Sequence, residues 1–311
     1  MKYIFGPVPS RRLGMSLGVD IVPFKTCTFD CVYCQLGATT SKSVQRQSYV
    51  PEEKVLDELR EVSDSGAKRI DFITFSGSGE PTLNSDIGSM IGQIKTFTRV
   101  PVAVLTNGSL LYRDDVRRDL SGADLVVPSL DAVTEDTFAK VNRPHESLNM
   151  ELIIEGLRKF AREFEGRIWL EIMLVKGIND SQMELKQMAD LVRGLRVDKI
   201  HLNTVERPPA EEFALAIAAE EMRNIVSMFD SRAEVITDFD KSVAHEARSE
   251  DMESEVLSLL KRRPCTVDDI SDSLGIHMNE VIKYVNHLTR NGFIRRVKHG
   301  DKWYYELVSE L

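Results

Sequence analysis

The chain has 311 residues, of which 42% are hydrophobic and 29% charged, and its formal net charge is −9 at pH 7. This composition excludes a disordered or collagen-like chain and a protein that is basic over its whole surface. No apolar run reaches the roughly 18 residues that a membrane helix needs. The N-terminus also lacks the apolar core of a secretory signal. We therefore expect a cytoplasmic protein with no membrane contact.

Short β-type runs alternate with amphipathic helical patterns along the first two thirds of the chain. The predicted strands are Gly18–Pro23, Ile70–Phe75, Val100–Leu105, Leu125–Pro128, Ile168–Val175 and Ile200–Thr204. The predicted helices include Pro51–Val62, Asp86–Lys95, Met150–Phe164 and Met183–Leu195. This alternation predicts an α/β fold with a parallel sheet and helices outside it. Six strand–helix repeats favour an α/β barrel, complete or partial. An open doubly wound sheet is the alternative.

Polar residues cluster after the carboxyl ends of the predicted strands. They are Cys27, Cys31 and Cys34, then Gly77, Gly79 and Glu80, then Thr106, Asn107 and Gly108, then Ser129 and Asp131, then Lys176, Gly177, Asn179 and Asp180, and finally Asn203. In a parallel barrel these positions meet at one face, where ligands bind. The pattern therefore predicts an enzyme with one pocket shared by six loops.

Three of the four cysteines lie within eight residues, in the order Cys27, Cys31 and Cys34 with the spacing C-x3-C-x2-C. Clustering of this kind in a chain without an export signal indicates a metal site. A ferredoxin-type cluster takes four cysteines, and the fourth here, Cys265, lies far away and is predicted to be structural. We expect a [4Fe–4S] cluster with one iron that has no protein ligand. A zinc site is the alternative, although zinc usually takes four ligands.

The cysteine motif, with Tyr33 before its last cysteine, resembles the signature of the radical S-adenosylmethionine (SAM) superfamily. The resemblance covers roughly residues 15–210 and implies a partial (β/α)6 barrel. Ser76 to Thr82 resembles the family's glycine–glutamate motif, which holds the methionine amino group, although Ser78 separates the two glycines here. Ser129 and Asp131 match the place that holds the cofactor ribose, with helix capping as their alternative role. The cofactor-binding residues implied are Tyr33, Gly77, Gly79, Glu80, Asn107, Ser129 and Asp131.

The same resemblance implies a reaction. The cluster would pass one electron to SAM, giving methionine and a 5′-deoxyadenosyl radical that abstracts hydrogen from a substrate. A flavodoxin or ferredoxin would supply the electron. The residues identify no acid–base pair, so the catalytic residues and the substrate, RNA or protein, stay open. A sub-alternative is an activase that installs a glycyl radical on a partner enzyme.

The sequence also resembles iron–sulfur oxidoreductases that are likened to the wybutosine-forming tRNA enzymes. Those enzymes carry a second cysteine-ligated cluster, for which this chain lacks the cysteines. Near the N-terminus, Arg11 and Arg12 are expected either to contact a phosphate or carboxylate or to form structural salt bridges.

A second module is predicted over residues 250–311, after a barrel at 1–229 and a connection at 230–249 that includes one more strand at Ala233–Thr237. Its pattern of three helices and a hairpin resembles a winged helix-turn-helix domain. Basic residues gather late in the module, with Trp303 and Tyr304 beside them: Arg290, Arg295, Arg296, Lys298 and Lys302. This cluster indicates contact with nucleic-acid phosphates, and docking to a protein and plain packing are the alternatives. A redox-sensing DNA-binding regulator is the competing function for the whole chain.

Overall fold

The structure, a computed structural model, describes residues 2–64, 69–207, 209–236, 248–261, 263–299 and 302–308. The chain divides into two compact units. The larger unit is Pro7–Phe239, and the smaller one combines Met1–Gly6 with Asp240–Leu311. The boundaries predicted at 229 and 250 differ from this division, and the first six residues were expected in the barrel.

The structure contains the following elements. The strands are β1 (Ile4–Ser10), β2 (Gly14–Val19), β3 (Thr26–Cys27), β4 (Ser41–Lys42), β5 (Phe72–Phe75), β6 (Val102–Thr106), β7 (Leu125–Pro128), β8 (Arg167–Leu174), β9 (Lys199–Thr204), β10 (Ala233–Val235), β11 (Ile294–His299) and β12 (Lys302–Leu307). The helices are α1 (Glu52–Asp64), α2 (Ile87–Phe97), α3 (Asp114–Leu120), α4 (Glu135–Val141), α5 (Met150–Glu163), α6 (Gln182–Arg193), α7 (Ala219–Val226), α8 (Arg248–Leu260), α9 (Val267–Leu274) and α10 (Met278–Arg290), with a 3-10 turn at Pro81–Leu83.

The main sheet has the strand order β1-β2-β5-β6-β7-β8-β9-β10 among the described residues. Neighbouring strands from β2 to β10 are parallel. Helices follow most of the strands in sequence, which confirms the α/β fold and the partial barrel. The strands β1 and β10 stand at the two ends of the order, so the described sheet is not closed.

The first predicted strand, Gly18–Pro23, is wrong in position. The strand that enters the sheet is β2, and it pairs with β5 from Ser16 to Val19. The apolar residues Ile21 and Val22 continue the hydrophobic run, but they are buried in the loop that follows. The strand β1 was missed, because its Gly and two Pro residues weaken the β pattern. The predicted strand at Ala233–Thr237 appears as β10, and Thr237 lies outside the described residues.

Strand β8 shows which side chains face the inside of the barrel. Ile168, Leu170, Ile172 and Leu174 are fully buried. The alternate residues of the strand are only half-buried, and one of them, Trp169, packs with a small interior cluster formed by Leu13, Ala103, Leu125 and Val127. Side chains alternate across a strand. Glu171 and Met173 therefore share the inward face with Trp169, a choice that the sequence left open.

The smaller unit is a winged helix-turn-helix module, as predicted. Thr266 and Asp269 form a capping box at the start of α9, and Gly275 ends that helix with a φ of +63°. Strands β11 and β12 pair in antiparallel register. Cys265 is fully buried in the module core and bridges Tyr305 through backbone hydrogen bonds. The predicted turn at His299 to Asp301 includes Gly300 and Asp301, which lie outside the described residues.

Candidate metal centre and cofactor site

Of the three clustered cysteines, Cys27 ends β3 and the other two lie in the loop that follows it. This stretch, the cysteine loop, packs against the end of α4. The loop backbone donates to the last carbonyls of that helix, from Asp30 to Asn142 at 2.9 Å and from Val32 to Val141 at 3.0 Å. Carbonyls at a helix end have no partner within the helix. The cysteine loop supplies partners, so the end of α4 and the loop fix each other's position.

Each cysteine sulfur has a nitrogen donor from a different part of the larger unit. The side-chain amide of Asn142 lies 3.3 Å from the Sγ of Cys31. The amide of Asn107 lies 3.5 Å from the Sγ of Cys27, and the Nζ of Lys25 lies 3.5 Å from the Sγ of Cys34. Donors and cations at this distance stabilise negative charge on sulfur. These three donors therefore offset part of the cost of a negative charge on buried sulfur.

Two of the three cysteine thiols have raised pKa values because of their surroundings. Burial, followed by the nearby carboxylate of Glu80, raises the pKa of Cys27 to about 12. Burial and Asp131 likewise raise the pKa of Cys31 well above its ordinary value. Such thiols stay protonated at neutral pH unless a bound metal removes the proton. The loop thus offers three sulfur ligands that lose their protons to a bound metal, and each has a hydrogen-bond donor beside it. These properties fit an iron–sulfur cluster.

Among the residues that the structure describes, no group of three or more His, Cys, Asp or Glu side chains is arranged to hold a single metal ion. The described residues therefore give the zinc alternative no additional support.

The glycine–glutamate segment touches the cysteine loop through its backbone. Lys25 donates to the carbonyl of Ser78 at 2.7 Å, and Glu80 donates to the carbonyl of Thr26 at 3.1 Å. A Cβ at Gly79 would lie 1.8 Å from that same Thr26 oxygen. Only glycine permits this approach, so Gly79 brings the Glu80 turn beside the cysteine loop.

Ser78, the residue that departs from the family pattern, has a partner of its own. Its backbone N–H donates to Oδ2 of Asp20 at 3.1 Å, and its hydroxyl donates to the same oxygen. Gly77 has a φ of +141°, and a Cβ there would meet the Asp20 side chain at 2.5 Å. Asp20 thus holds Ser78 in place. The sequence pattern did not single out Asp20.

Glu80 is buried, and its two oxygens are unequally used. Oε1 accepts from Thr82, through its backbone N–H at 3.0 Å and its hydroxyl at 2.6 Å, and from the Thr106 hydroxyl at 2.7 Å. Oε2 accepts from the backbone N–H of Asn107 at 2.7 Å. Burial raises the pKa of Glu80 in spite of these bonds. Oε1 thus accepts three of these bonds and Oε2 one, so Oε2 has room to accept from a further donor.

Asp131 is a buried junction between the cysteine loop and strand β8. Its Oδ2 accepts from the Tyr33 hydroxyl and from the Asn142 amide, the latter at 2.8 Å. Its Oδ1 accepts from the backbone N–H of Met173 at 2.9 Å. Burial raises the pKa of Asp131 to about 6. Ser129 lies two residues earlier, bridged to Glu171 of β8. The structure thus brings Tyr33 and Asp131 together and leaves Ser129 beside them.

An ion-paired network lines the inside of the barrel. Arg12 contacts Oε1 of Glu171 at 2.7 Å, and the Asn203 amide donates to the same oxygen at 3.2 Å. Arg11 pairs with Glu206 at 2.6 Å and also contacts Asn203. Burial opposes the charge on Glu171, but Arg12 outweighs it and leaves the pKa of that carboxyl below its ordinary value. Both arginines form salt bridges, and their contact with a phosphate or carboxylate of a ligand stays a prediction.

Most of the basic residues predicted to cluster in the smaller unit lie on its hairpin, whereas Arg290 ends α10. Arg296 stacks on the Trp303 ring, 3.9 Å from its centre, and Lys298 lies 5.7 Å from the same ring. Arg295 pairs with Glu306 at 2.7 Å and lies on the other face of the hairpin. Lys298 is exposed and Trp303 is half-buried. The wing, meaning β11 with β12, thus offers cations beside an aromatic side chain.

Comparison with known proteins assigns the family. The profile of the radical SAM superfamily matches residues 21–191. A UPF0026 protein of Methanocaldococcus jannaschii is 30% identical over 98% of this chain and 96% of its own length. A protein of Brachyspira hyodysenteriae described as GTPase Obg is 39% identical over 94% of this chain. The chain spans only 43% of that relative. The chain belongs to the radical SAM superfamily of enzymes, and within it to the UPF0026 family.

Solved structures agree on the fold. A radical SAM methyltransferase from Sphaerobacter thermophilus has a TM-score of 0.56 at 21% identity, over 71% of this chain and 65% of its own. TYW1 with a lysine–pyruvate adduct has a TM-score of 0.55 at 18% identity, over 70% and 74% of the two chains. The profile of TrmB, a sugar-specific transcriptional regulator, matches residues 250–309. Among the described residues, no helix has the length and apolarity to cross a membrane.

Proposed function

We propose that this chain holds a [4Fe–4S] cluster on Cys27, Cys31 and Cys34 and uses it to cleave SAM reductively. Such a cluster would supply one electron to the sulfonium of SAM, whose C–S bond would break to give methionine and a 5′-deoxyadenosyl radical able to abstract hydrogen from a substrate. The observation that carries the proposal is the loop in which three cysteine sulfurs each meet their own nitrogen donor. A flavodoxin or ferredoxin is the proposed electron donor, and the cytoplasm is the proposed location.

The residues around the loop support a place for the cofactor. Gly79 brings Glu80 next to the cysteine loop, and the spare capacity of Oε2 suits the methionine amino group. Gly77 and Asn107 belong to the same turns, and Asn107 contacts both Cys27 and Thr28. We assign Tyr33, Ser129 and Asp131 to the ribose side. Because Tyr33 and Asn142 occupy Asp131 Oδ2, the ribose contact falls to Ser129 and Oδ1, and Asp131 chiefly positions its neighbours.

The interior network is the proposed substrate contact. Glu171 and Asn203 face the inside of the barrel from adjacent strands, and Arg12 joins them. Charged groups in this position can orient a substrate that carries several hydrogen-bonding groups. RNA and protein substrates both satisfy that description.

The experiment is an anaerobic assay for 5′-deoxyadenosine. The chain is loaded with iron and sulfide, reduced with dithionite and given SAM. We expect 5′-deoxyadenosine and methionine, and loss of both in Cys31→Ala, whereas Cys265→Ala should retain them. An intact cluster that yields no 5′-deoxyadenosine contradicts the proposal.

A second candidate function rests on the TrmB match over residues 250–309. In it the wing contacts nucleic-acid phosphates, either to present an RNA substrate or as part of a redox-sensing DNA-binding regulator. Gel shifts with the oxidised and reduced protein separate the two. A shift that depends on the cluster's oxidation state and on DNA sequence supports the regulator, and equal binding in both states contradicts it.

A further inference from the structure

The helix-turn-helix of the smaller unit comprises α9, the turn from Gly275 to His277, and α10. In DNA-binding domains of this kind the second helix enters the major groove, and the residues at its N-terminal end contact the bases. That end of α10 consists of His277, which caps the helix, and the first turn up to Glu280. Its surroundings decide whether the module can read a DNA sequence.

The first residues of the chain cover this end of α10. Residues 2–6 belong to the same compact unit as the module. The Phe5 ring stacks on the His277 ring, with centres 4.9 Å apart and planes 23° apart. The backbone N–H of Gly6 donates to Oε1 of Glu280 at 2.7 Å. Lys283 lies 5.9 Å from the centre of the Phe5 ring.

The segment is also buried, and from Ile4 onward it belongs to strand β1 as well. Tyr3, Ile4 and Phe5 are 7%, 1% and 6% exposed. The contacts involve three positions of α10 and its cap, 277, 280 and 283, which share one face at the helical spacing of three residues. A base pair and Phe5 cannot occupy the same face of the helix.

The charge of α9, the first helix of the helix-turn-helix, also opposes the reading of DNA bases. In a bound helix-turn-helix the first helix crosses the DNA backbone. Here α9 carries Asp268, Asp269 and Asp272 and no basic residue, so it would bring carboxylates toward phosphates. Two features therefore oppose the reading of bases by α9 and α10: residues 3–6 cover the end of α10, and α9 is acidic.

We propose that the N-terminal end of α10 is the binding site of residues 3–6 of the same chain, and that the module does not read base edges with this helix. Any nucleic acid that the module contacts is held by the wing through its phosphates, which carry no sequence information directly. This inference does not depend on SAM cleavage. Within the second candidate function it favours contact with nucleic-acid phosphates that is independent of sequence, and it opposes a regulator that reads a DNA sequence through α10.

Hydrogen exchange in the full-length chain tests the seating of the segment. In Phe5→Ala we expect at least tenfold faster exchange at Gly6 and in the first turn of α10. Phe293→Ala, which alters a phenylalanine that is 45% exposed in the same unit, is the matched control and should leave both unchanged. Lys283→Ala serves as a second variant should Phe5→Ala fold poorly. Unchanged exchange in Phe5→Ala and Lys283→Ala overturns the proposal.

Selection from a randomised DNA duplex tests the consequence. The full-length protein should enrich no sequence, whether it binds every duplex or none. Enrichment of one sequence, together with protection of the first turn of α10 by that duplex, overturns the proposal. Binding to no nucleic acid at all would contradict the wing contact of the second candidate function but support the closed state of α10. The 5′-deoxyadenosine assay is independent of all these outcomes.

Discussion

Gly79 offers a sharp test of how the glutamate turn and the cysteine loop fit together. In Gly79→Ala the new Cβ would lie 1.8 Å from the Thr26 carbonyl oxygen and 2.8 Å from its carbon. The oxygen must retreat by more than 1 Å to reach an ordinary contact, and it then loses the bond from Glu80. Overpacking typically costs about 1–3 kcal/mol and a lost hydrogen bond about 1 kcal/mol. We therefore expect the free energy of unfolding to fall by about 2–4 kcal/mol.

Because Thr26 precedes Cys27, the same displacement moves a cluster ligand, and we expect less iron per chain as well. Gly92→Ala is the matched control. Gly92 lies in α2, and a Cβ added there would meet no atom within 4 Å, so alanine should stabilise the chain by about 0.5–1 kcal/mol. Urea unfolding and iron analysis measure both effects. A Gly79→Ala protein as stable and as rich in iron as the wild type would refute the reasoning.

Three further predictions concern the site and the module. Asn142→Leu removes a donor to Cys31 and should disfavour the reduced cluster about tenfold. For one electron this is a negative shift of the reduction potential by roughly 59 mV. An unchanged potential, in a redox titration followed by electron paramagnetic resonance, argues against a role for this amide. Burial raises the pKa of Asp131 to about 6, so the folded state retains a proton that the unfolded state has lost. As the pH rises from 4 to 6, the free energy of unfolding should therefore fall by about 1.4 kcal/mol per pH unit. The fall should be steeper in the wild type than in Asp131→Asn. Equal slopes in urea titrations of the two apoproteins would dismiss this. Cys265→Ser places a hydroxyl in the module core and should lower stability by about 1–3 kcal/mol while iron content stays at the wild-type level; a loss of iron would make Cys265 a ligand.

The sequence was most informative where chemistry depends on local spacing. The cysteine triplet predicted a shared loop, and the alternation of strands and helices predicted the barrel. Five of the six predicted strands appear close to their expected positions. The first was misplaced because the apolar residues Ile21 and Val22 are buried in a loop and not in a strand. A short apolar run has the same pattern in a strand and in a packed loop.

The residues that the sequence did not reveal act through contacts between distant segments. Asn142 reaches Cys31 across 111 positions and Lys25 reaches Cys34 across nine, and neither residue belongs to a motif of fixed spacing. Asp20 supports Ser78 in the same way. The packing of residues 3–6 on α10 was equally hidden, because the partners stand at opposite ends of the chain.

The central claim is that the three loop cysteines hold a cluster with one iron open to the cofactor. Electron paramagnetic resonance of the anaerobically loaded, reduced chain, recorded with and without SAM carrying ¹⁵N or ¹⁷O in its methionine group, tests it directly. We predict a [4Fe–4S]⁺ signal that changes on addition of SAM and shows hyperfine coupling to the label. A chain that binds only zinc, or a cluster whose signal ignores SAM, would contradict the account.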